Sequence, residues 1–319
     1  MRFLWTGPEE YELVAIEREL QRVGYSRVEQ PLRTLAMRSG KMLGKLGLLV
    51  RFAPWKAEPL IVVGGNLPLR EFVPYGFLRS LILWRYDVWE PDYQRWEQYL
   101  RISRTPLAFF TARHAAEELG RRVPTCECVW LPECVSPEEY LPTKPLPERR
   151  IDVLELGRKY DLIHEQIRRP LELAGRLHLY ERIKGVVIYP EKQQMVDGLA
   201  DAKIVLCYPS SMTHPERSGN VETLTHRYLQ TMASGAVVVG KAPQELVEIF
   251  GYNPVVEFKT ANVAGELLEI LENIAHYTQM VERNLARVKE VATTQLRVAQ
   301  LSALLRKRGY PVPDVPFPA

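Results

Sequence analysis

The sequence predicts an α/β protein built from two parallel-sheet units, and three observations carry that expectation. Short β-branched apolar runs alternate with amphipathic helical stretches along the chain, the pattern of a parallel sheet covered by helices. A single Pro-rich run, PEEYLPTKPLPERR over residues 137–150, interrupts the alternation. The length of 319 residues suits two units of about 150 residues each better than one core.

Each element has its own reason. Residues 2–6 read as a first strand, and 9–24 as a helix with Leu13, Ile16, Leu20 and Val23 at helical spacing. Residues 60–63, closing on Gly64-Gly65-Asn66, and 81–86 read as strands, and 236–239 as one buried on both faces. A polar, aromatic stretch over 93–102 reads as a helix, 107–111 as a strand, 112–120 as a helix and 129–132 as a strand. Beyond the Pro-rich run, which reads as an extended, semi-rigid linker, Ile151-Asp152-Val153-Leu154-Glu155-Leu156-Gly157 opens a second α/β unit. Further strands are expected at 185–188, 202–207, 236–239 and 255–258, with helices from 261 to about 308. Gly235, between a helical stretch and Ala236-Val237-Val238-Val239, is a natural helix terminator.

Composition narrows the function. The chain is 46% hydrophobic and 25% charged, with a formal net charge of +3. This argues for globular cores and against a nucleic-acid partner, since no basic and aromatic platform repeats along it. Cys126, Cys128, Cys134 and Cys207 have neither zinc-ligand spacing nor the density of a disulfide framework. Reduced thiols and a cytoplasmic setting are expected. MRFLWTGPEE reads as a strand entering a loop, not a leader. No apolar run approaches the roughly 20 residues of a membrane span.

Ligands of open parallel sheets bind beyond the carboxyl ends of the strands, so three loops of the second unit matter. Gly157-Arg158-Lys159 follows the first strand, where a glycine allows close approach and the cations suit a phosphate. Tyr208-Pro209-Ser210-Ser211 follows the strand ending at Cys207. Ser218-Gly219-Asn220-Val221-Glu222-Thr223-Leu224-Thr225 leads into a helix that Thr225 is placed to cap, at an anion-favouring N-terminus. No GxGxxG follows a strand and no GxxxxGK[ST] occurs, against dinucleotide and P-loop chemistry.

These residues resemble those of GT-B glycosyltransferases of the retaining group 1 type, especially the divergent branch with the spore-maturation-like members. Pro209-Ser210, Glu222 and Met232-Ala233-Ser234-Gly235-Ala236-Val237-Val238 follow the family's PSxxEGFGxxxLEAMAxGxPVV pattern, with Gln230 where a second Glu usually stands. Arg227, in T-x-R-x-L, is typical of the divergent branch, and Phe109-Phe110-Thr111-Ala112 and Leu131-Pro132-Glu133-Cys134-Val135 are similar to its FTxS and LPxGVD segments. The resemblance covers roughly residues 100–305.

The resemblance implies two Rossmann-like domains facing across a cleft: an acceptor domain at 1–140, a linker at 141–150, a nucleotide-sugar domain at 151–290, and a helix and tail at 291–319 packing back on the first. It implies sugar transfer from a nucleotide-diphosphate donor, of UDP or GDP type, with no cofactor and no metal. Glu222 would hold donor hydroxyls, Gln230 the ribose, and Arg158 with Lys159 the leaving diphosphate. Gly157, Pro209, Ser210, Thr223, Leu224, Thr225 and Arg227 would line the donor. Tyr86-Asp87 stands where the family has His-Asp, which makes Asp87 the candidate acceptor-orienting group, with His114 an alternative. The acceptor stays open, a lipid-linked or growing glycan being compatible. Basic residues Arg33, Arg38, Lys41, Lys45, Arg51 and Lys56, among apolar ones over 32–56, read equally as a contact with the inner face of a membrane or as a buried strand with a solvated basic edge. Two rivals share the fold: a sugar-nucleotide epimerase and a non-catalytic, membrane-associated partner.

Overall fold

The computed structural model describes residues 1–318 apart from 6–10, 30–32, 47, 49–57, 66, 68–71, 78, 158 and 184. It forms two compact units. One comprises Met1–Glu133, Arg217–Val221 and Thr294–Ala319; the other comprises Cys134–Glu216 and Glu222–Thr293.

The first unit is built on six parallel strands: β1 (Arg2–Trp5), β2 (Ser26–Val28), β3 (Leu60–Gly65), β4 (Leu81–Tyr86), β5 (Leu107–Phe110) and β6 (Glu127–Trp130), in the order β2-β1-β3-β4-β5-β6. Helices α1 (Tyr11–Arg22), α2 (Arg33–Lys45), α3 (Tyr93–Ser103) and α4 (Arg113–Arg122) connect them. Central β4 is buried along its whole length, Arg85 included, which explains the apolar character of its other residues. Leu83, Trp96, Tyr99, Phe110 and Leu119 share one core cluster, with Trp96 edge-on to Phe110 at 5.8 Å between ring centroids.

The second unit has four parallel strands, β7 (Ile151–Glu155), β8 (His178–Tyr180), β9 (Ala202–Cys207) and β10 (Val237–Gly240), in the order β10-β9-β7-β8. Its helices are α5 (Asp161–Leu173), α6 (Lys192–Ala200), α7 (His226–Ala233), α8 (Gln244–Phe250), α9 (Val263–Glu272) and α10 (Thr278–Val291). Val153, Ile167, Leu171, Ile204, Val237 and Leu267 form the centre of its core. The ends of this unit are neighbours: Val135 bridges Thr293, and the Val135 N–H donates to the Ala292 carbonyl at 2.9 Å.

The last helix, α11 (Thr294–Lys307), belongs to the first unit. It packs on α1 and buries Val298, Leu301 and Leu305. Tyr25 Oη lies 2.8 Å from Ser302 Oγ, and Arg308 Nε donates to Glu127 Oε2 at 2.7 Å.

Several expected elements differ. Residues 185–188 are not a strand, and Val186 and Val187 are exposed. The place beside β7 that such a strand would take is held by His178–Tyr180. Residues 255–258 contribute one bridge, Val239 to Val256, and not a strand. The Pro-rich run is not an extended spacer: it contains two single 3-10 turns, Pro137–Glu139 and Leu146–Glu148, and buries Tyr140 and Leu146. In the basic stretch 32–56, residues 33–45 are the helix α2, and neither a strand nor a buried segment is described there. Leu35, Arg38, Met42, Lys45, Leu46 and Leu48 are all exposed. Residues 49–57, including Arg51 and Lys56, lie outside the described residues.

Candidate functional site

The loops that end β7 and β9, and the one that enters α7, carry most of the residues singled out by the sequence. Gly157 takes φ +84 directly after β7, a left-handed conformation that favours glycine. A Cβ there would lie 4.0 Å from Arg227 Nη2, so the guanidinium from the first turn of α7 sits beside the glycine turn. Arg158, expected to do this work, lies outside the described residues. Lys159 turns the other way: its Nζ donates to the Glu181 carbonyl at 3.0 Å and lies 5.0 Å from the centre of the Tyr180 ring.

Arg227 and Gln230 lie one helical turn apart on α7, the spacing at which side chains meet. Arg227 Nη1 donates to Gln230 Oε1 at 2.8 Å, and Gln230 Nε2 donates to Tyr140 Oη at 3.2 Å. Gln230 is only 5% exposed. Its amide acts as a buried relay, accepting from the cation and donating to a phenol. A weaker contact runs from Arg227 Nη1 to Met195 Sδ at 3.7 Å.

The segment leading into α7 is held by an acid from another loop. Leu224 N–H donates to Glu245 Oε2 at 2.8 Å, with both residues buried. Glu245 belongs to the first turn of α8, which Pro243 starts without any side-chain cap. Glu245 thereby anchors the loop that carries Glu222 and Thr223. Glu245→Ala leaves a buried N–H without an acceptor and is expected to cost about 1–3 kcal/mol, read as a lower urea midpoint with unchanged slope. Glu245→Gln, which keeps an acceptor, should lose less; equal stability of Glu245→Ala and the parent would refute this anchoring role.

Thr225 occupies the N-cap position with extended backbone (φ −120, ψ 157), but its side chain makes no cap hydrogen bond. Glu222 is half-buried. Burial pushes the Tyr228 phenol well up, and Cys207 and Glu222 add to the effect. Tyr228 in turn donates to the Lys241 carbonyl at 2.5 Å. Pro209 precedes a short helical turn, Ser210–Thr213, whose Ser210 is buried. The Tyr208 and Tyr160 rings lie 4.9 Å apart between centres, tilted by 47°. Buried and without a hydrogen-bond partner are Tyr208 Oη, Ser211 Oγ and Thr223 Oγ1. Cys207 is pushed up to about 12 by burial, so its thiol stays protonated near neutrality and is not a nucleophile.

In the first unit, Asp87 follows β4 and takes φ +54, one of two non-glycine residues with positive φ among the described residues. A strained backbone at a strand end is a feature of functional loops. Its carboxylate is 3.9 Å from Arg217 Nη2, and Glu90 accepts from the Asn220 N–H at 2.8 Å. Tyr86 is buried. His114, at the start of α4, has Nδ1 3.0 Å from Tyr93 Oη and stacks on that ring.

Gly157, Arg227 and Gln230 therefore come together, as do Thr223–Leu224 and Glu245, while Lys159 points towards β8. Tyr140, Met195 and the anchoring role of Glu245 escaped the sequence reading. The only signal was Glu245 two residues after Pro243, and it does not reveal a partner 21 residues away.

Residues 158–303 match the model of a family described as glycosyl transferase-like. No curated protein matches the chain. Among solved structures, a glycosyltransferase from Rickettsia africae is similar at 10% identity and a TM-score of 0.56, over 96% of this chain and 98% of that one. Anabaena HepE in complex with UDP and glucose is similar at 12% identity and a TM-score of 0.59, over 96% and 100%. Sucrose-phosphate synthase from Thermosynechococcus elongatus is similar at 11% identity and a TM-score of 0.55, over 97% and 98%. At such identities the likeness concerns the fold. With its six-stranded and four-stranded parallel sheets, the chain has the GT-B glycosyltransferase fold, and its second unit carries a glycosyl transferase-like family match.

Proposed function

We propose that this chain transfers a sugar from a nucleoside-diphosphate donor to an acceptor hydroxyl, with retention at the anomeric carbon and without a metal at the diphosphate. One observation carries the reading: a cation, Arg227, stands beside the Gly157 turn in a unit whose strand-end and helix-entry loops hold three buried polar atoms without partners. Unpaired buried polar groups cost free energy unless something fills them, and a nucleotide sugar supplies suitable hydroxyls and phosphate oxygens. Arg227, and Arg158 with it, would stabilise charge as it builds on the leaving diphosphate. Glu222 would accept from donor hydroxyls. Gln230, already committed to Arg227 and Tyr140, fits a positioning role as well as the ribose contact the family pattern suggests.

In the proposed step the acceptor oxygen bonds to the anomeric carbon while the bond from that carbon to the diphosphate oxygen breaks. The hydroxyl proton passes to the leaving diphosphate, and Asp87 orients the acceptor. Since HepE is solved with UDP and with UDP-glucose, a UDP-hexose is the first donor to try. The exposed face Leu35, Arg38, Met42 and Lys45 of α2 mixes apolar and basic side chains at helical spacing, which supports contact with an anionic lipid surface and a lipid-linked acceptor. No described helix is long and apolar enough to cross a membrane.

The test is thermal stability against UDP, GDP, dTDP, ADP and CDP without added metal. A ligand at 100 times its Kd stabilises by about 2.7 kcal/mol, a shift of several degrees. One nucleotide, UDP first, is expected to raise Tm, with UDP-glucose losing its extra effect in Glu222→Ala. A protein indifferent to all five nucleotides would favour the non-catalytic rival.

A further inference from the structure

Beneath the Gly157 loop lies a group of side chains that the transfer reading does not use. Glu155 is the last residue of β7, His164 lies on α5 and His178 begins β8. All three are buried, at 4%, 3% and 8% exposure. A single oxygen, Glu155 Oε1, lies 2.6 Å from His164 Nδ1 and 2.8 Å from His178 Nε2. The three ligand-type atoms fall within 4.8 Å of one another, the only such group of three among the described residues. Hydrogen bonding does not complete the group, because His178 Nδ1 is buried without a partner.

A buried carboxylate set between two imidazoles is costly unless a cation neutralises it. Two imidazole nitrogens and one carboxylate oxygen from three different elements form a donor set suited to a first-row transition metal, and unlike the all-oxygen sets preferred by magnesium or calcium. Ligand atoms about 2.0–2.1 Å from zinc stand about 3.3 Å apart in a tetrahedron, so the contacts of 2.6 and 2.8 Å need open by about 0.5–0.7 Å. There is also a route in. His164 and His178 line a cavity of about 550 Å³ whose walls include Lys159, Arg168, Arg176 and Arg182.

We propose that Glu155, His164 and His178 bind one divalent transition-metal ion, zinc being the first choice, with a fourth position open to water or an anion in the cavity. The ion ties β7, α5 and β8 together behind the Gly157 loop. This site is independent of the donor reading and takes no part in the transfer step proposed above.

The experiment uses the full chain, stripped with a chelator and titrated with zinc and with cobalt. Expected are one tightly bound zinc per chain, a Tm rise of several degrees, and visible cobalt absorption in the range of four- or five-coordinate nitrogen and oxygen ligation. His178→Ala is expected to weaken zinc binding at least about 100-fold, as loss of one of three protein ligands should. Glu155→Gln, which keeps volume and hydrogen bonding, serves as the second variant if His178→Ala does not fold. Absence of stoichiometric binding in the parent overturns the proposal, and so does binding that survives in whichever variant folds. UDP-induced stabilisation is read on the same samples, and its outcome bears only on the donor site.

Discussion

Arg227→Ala is expected to weaken nucleoside-diphosphate binding by about 10- to 100-fold, and to lower any transfer rate by at least as much. A hydrogen bond from a charged donor contributes about 1.5–3 kcal/mol, and each 1.4 kcal/mol is tenfold in affinity. The guanidinium lies by the Gly157 turn, fixed by Gln230 on one side and touching Met195 on another. Arg227→Lys keeps the charge but loses the planar fork that can hold both Gln230 and a phosphate, so an intermediate loss is expected. Isothermal titration with UDP reads the affinity. The variant also leaves Gln230 Oε1 without its donor, and a small drop in Tm without ligand should accompany the effect. Unchanged UDP affinity in a folded Arg227→Ala would remove Arg227 from the donor site.

Gly240→Ala is expected to be the most damaging single-methyl substitution in the second unit. Gly240 ends β10 with φ +142, and a Cβ there would meet the Cys207 carbonyl oxygen at 2.1 Å. That carbonyl cannot retreat, because it accepts from the Lys241 N–H at 3.1 Å while Gly240 N–H is bound to Val256 at 3.0 Å. Overpacking typically costs about 1–3 kcal/mol and a backbone strained in this way about 1–3 more. The sum, about 2–6 kcal/mol, is a large part of an ordinary domain's 5–15. For a unit of this size it corresponds to a Tm lower by about 10 °C, measured by calorimetry. A variant melting within 3 °C of the parent would show that the strand end has room.

How legible the molecule is in its sequence depends on which force sets each residue. Strands β3 and β10 are apolar runs, and β4 and β9 are apolar apart from Arg85 and Lys203, because burial is written directly into composition. The three-residue edge strands β2 and β8 are not legible. His178-Leu179-Tyr180 carries no apolar period, and its pairing with β7 depends on contacts that local sequence does not encode. Val186 and Val187 show the reverse: β-branched residues with strand propensity left exposed, because β propensity yields to tertiary context. At the candidate site, Glu222, Gly157 and Arg227 stood out by residue type. What Gln230 does was not readable. Once α7 exists, the bond with Arg227 follows from their one-turn spacing, but the partner on its other side, Tyr140, lies 90 residues away. Glu155, His164 and His178 were equally invisible, since 14 residues separate the histidines in the chain and only the pairing of β7 with β8 brings them together.

The return of α11 to the first unit has a consequence for how the polypeptide is made. Vectorial synthesis usually lets the N-terminal domain fold first. Here the sheet made from the earlier residues lacks the helix that packs on α1 and carries Ser302, the partner of Tyr25, until residues 294–307 have been made. The second unit, whose ends meet at Val135 and Thr293, has its whole sequence translated before that. The later-synthesised half can thus finish while the earlier half waits, with the side of α1 that receives α11 uncovered, and a nascent chain stalled just short of Thr294 would hold one complete unit and one incomplete one.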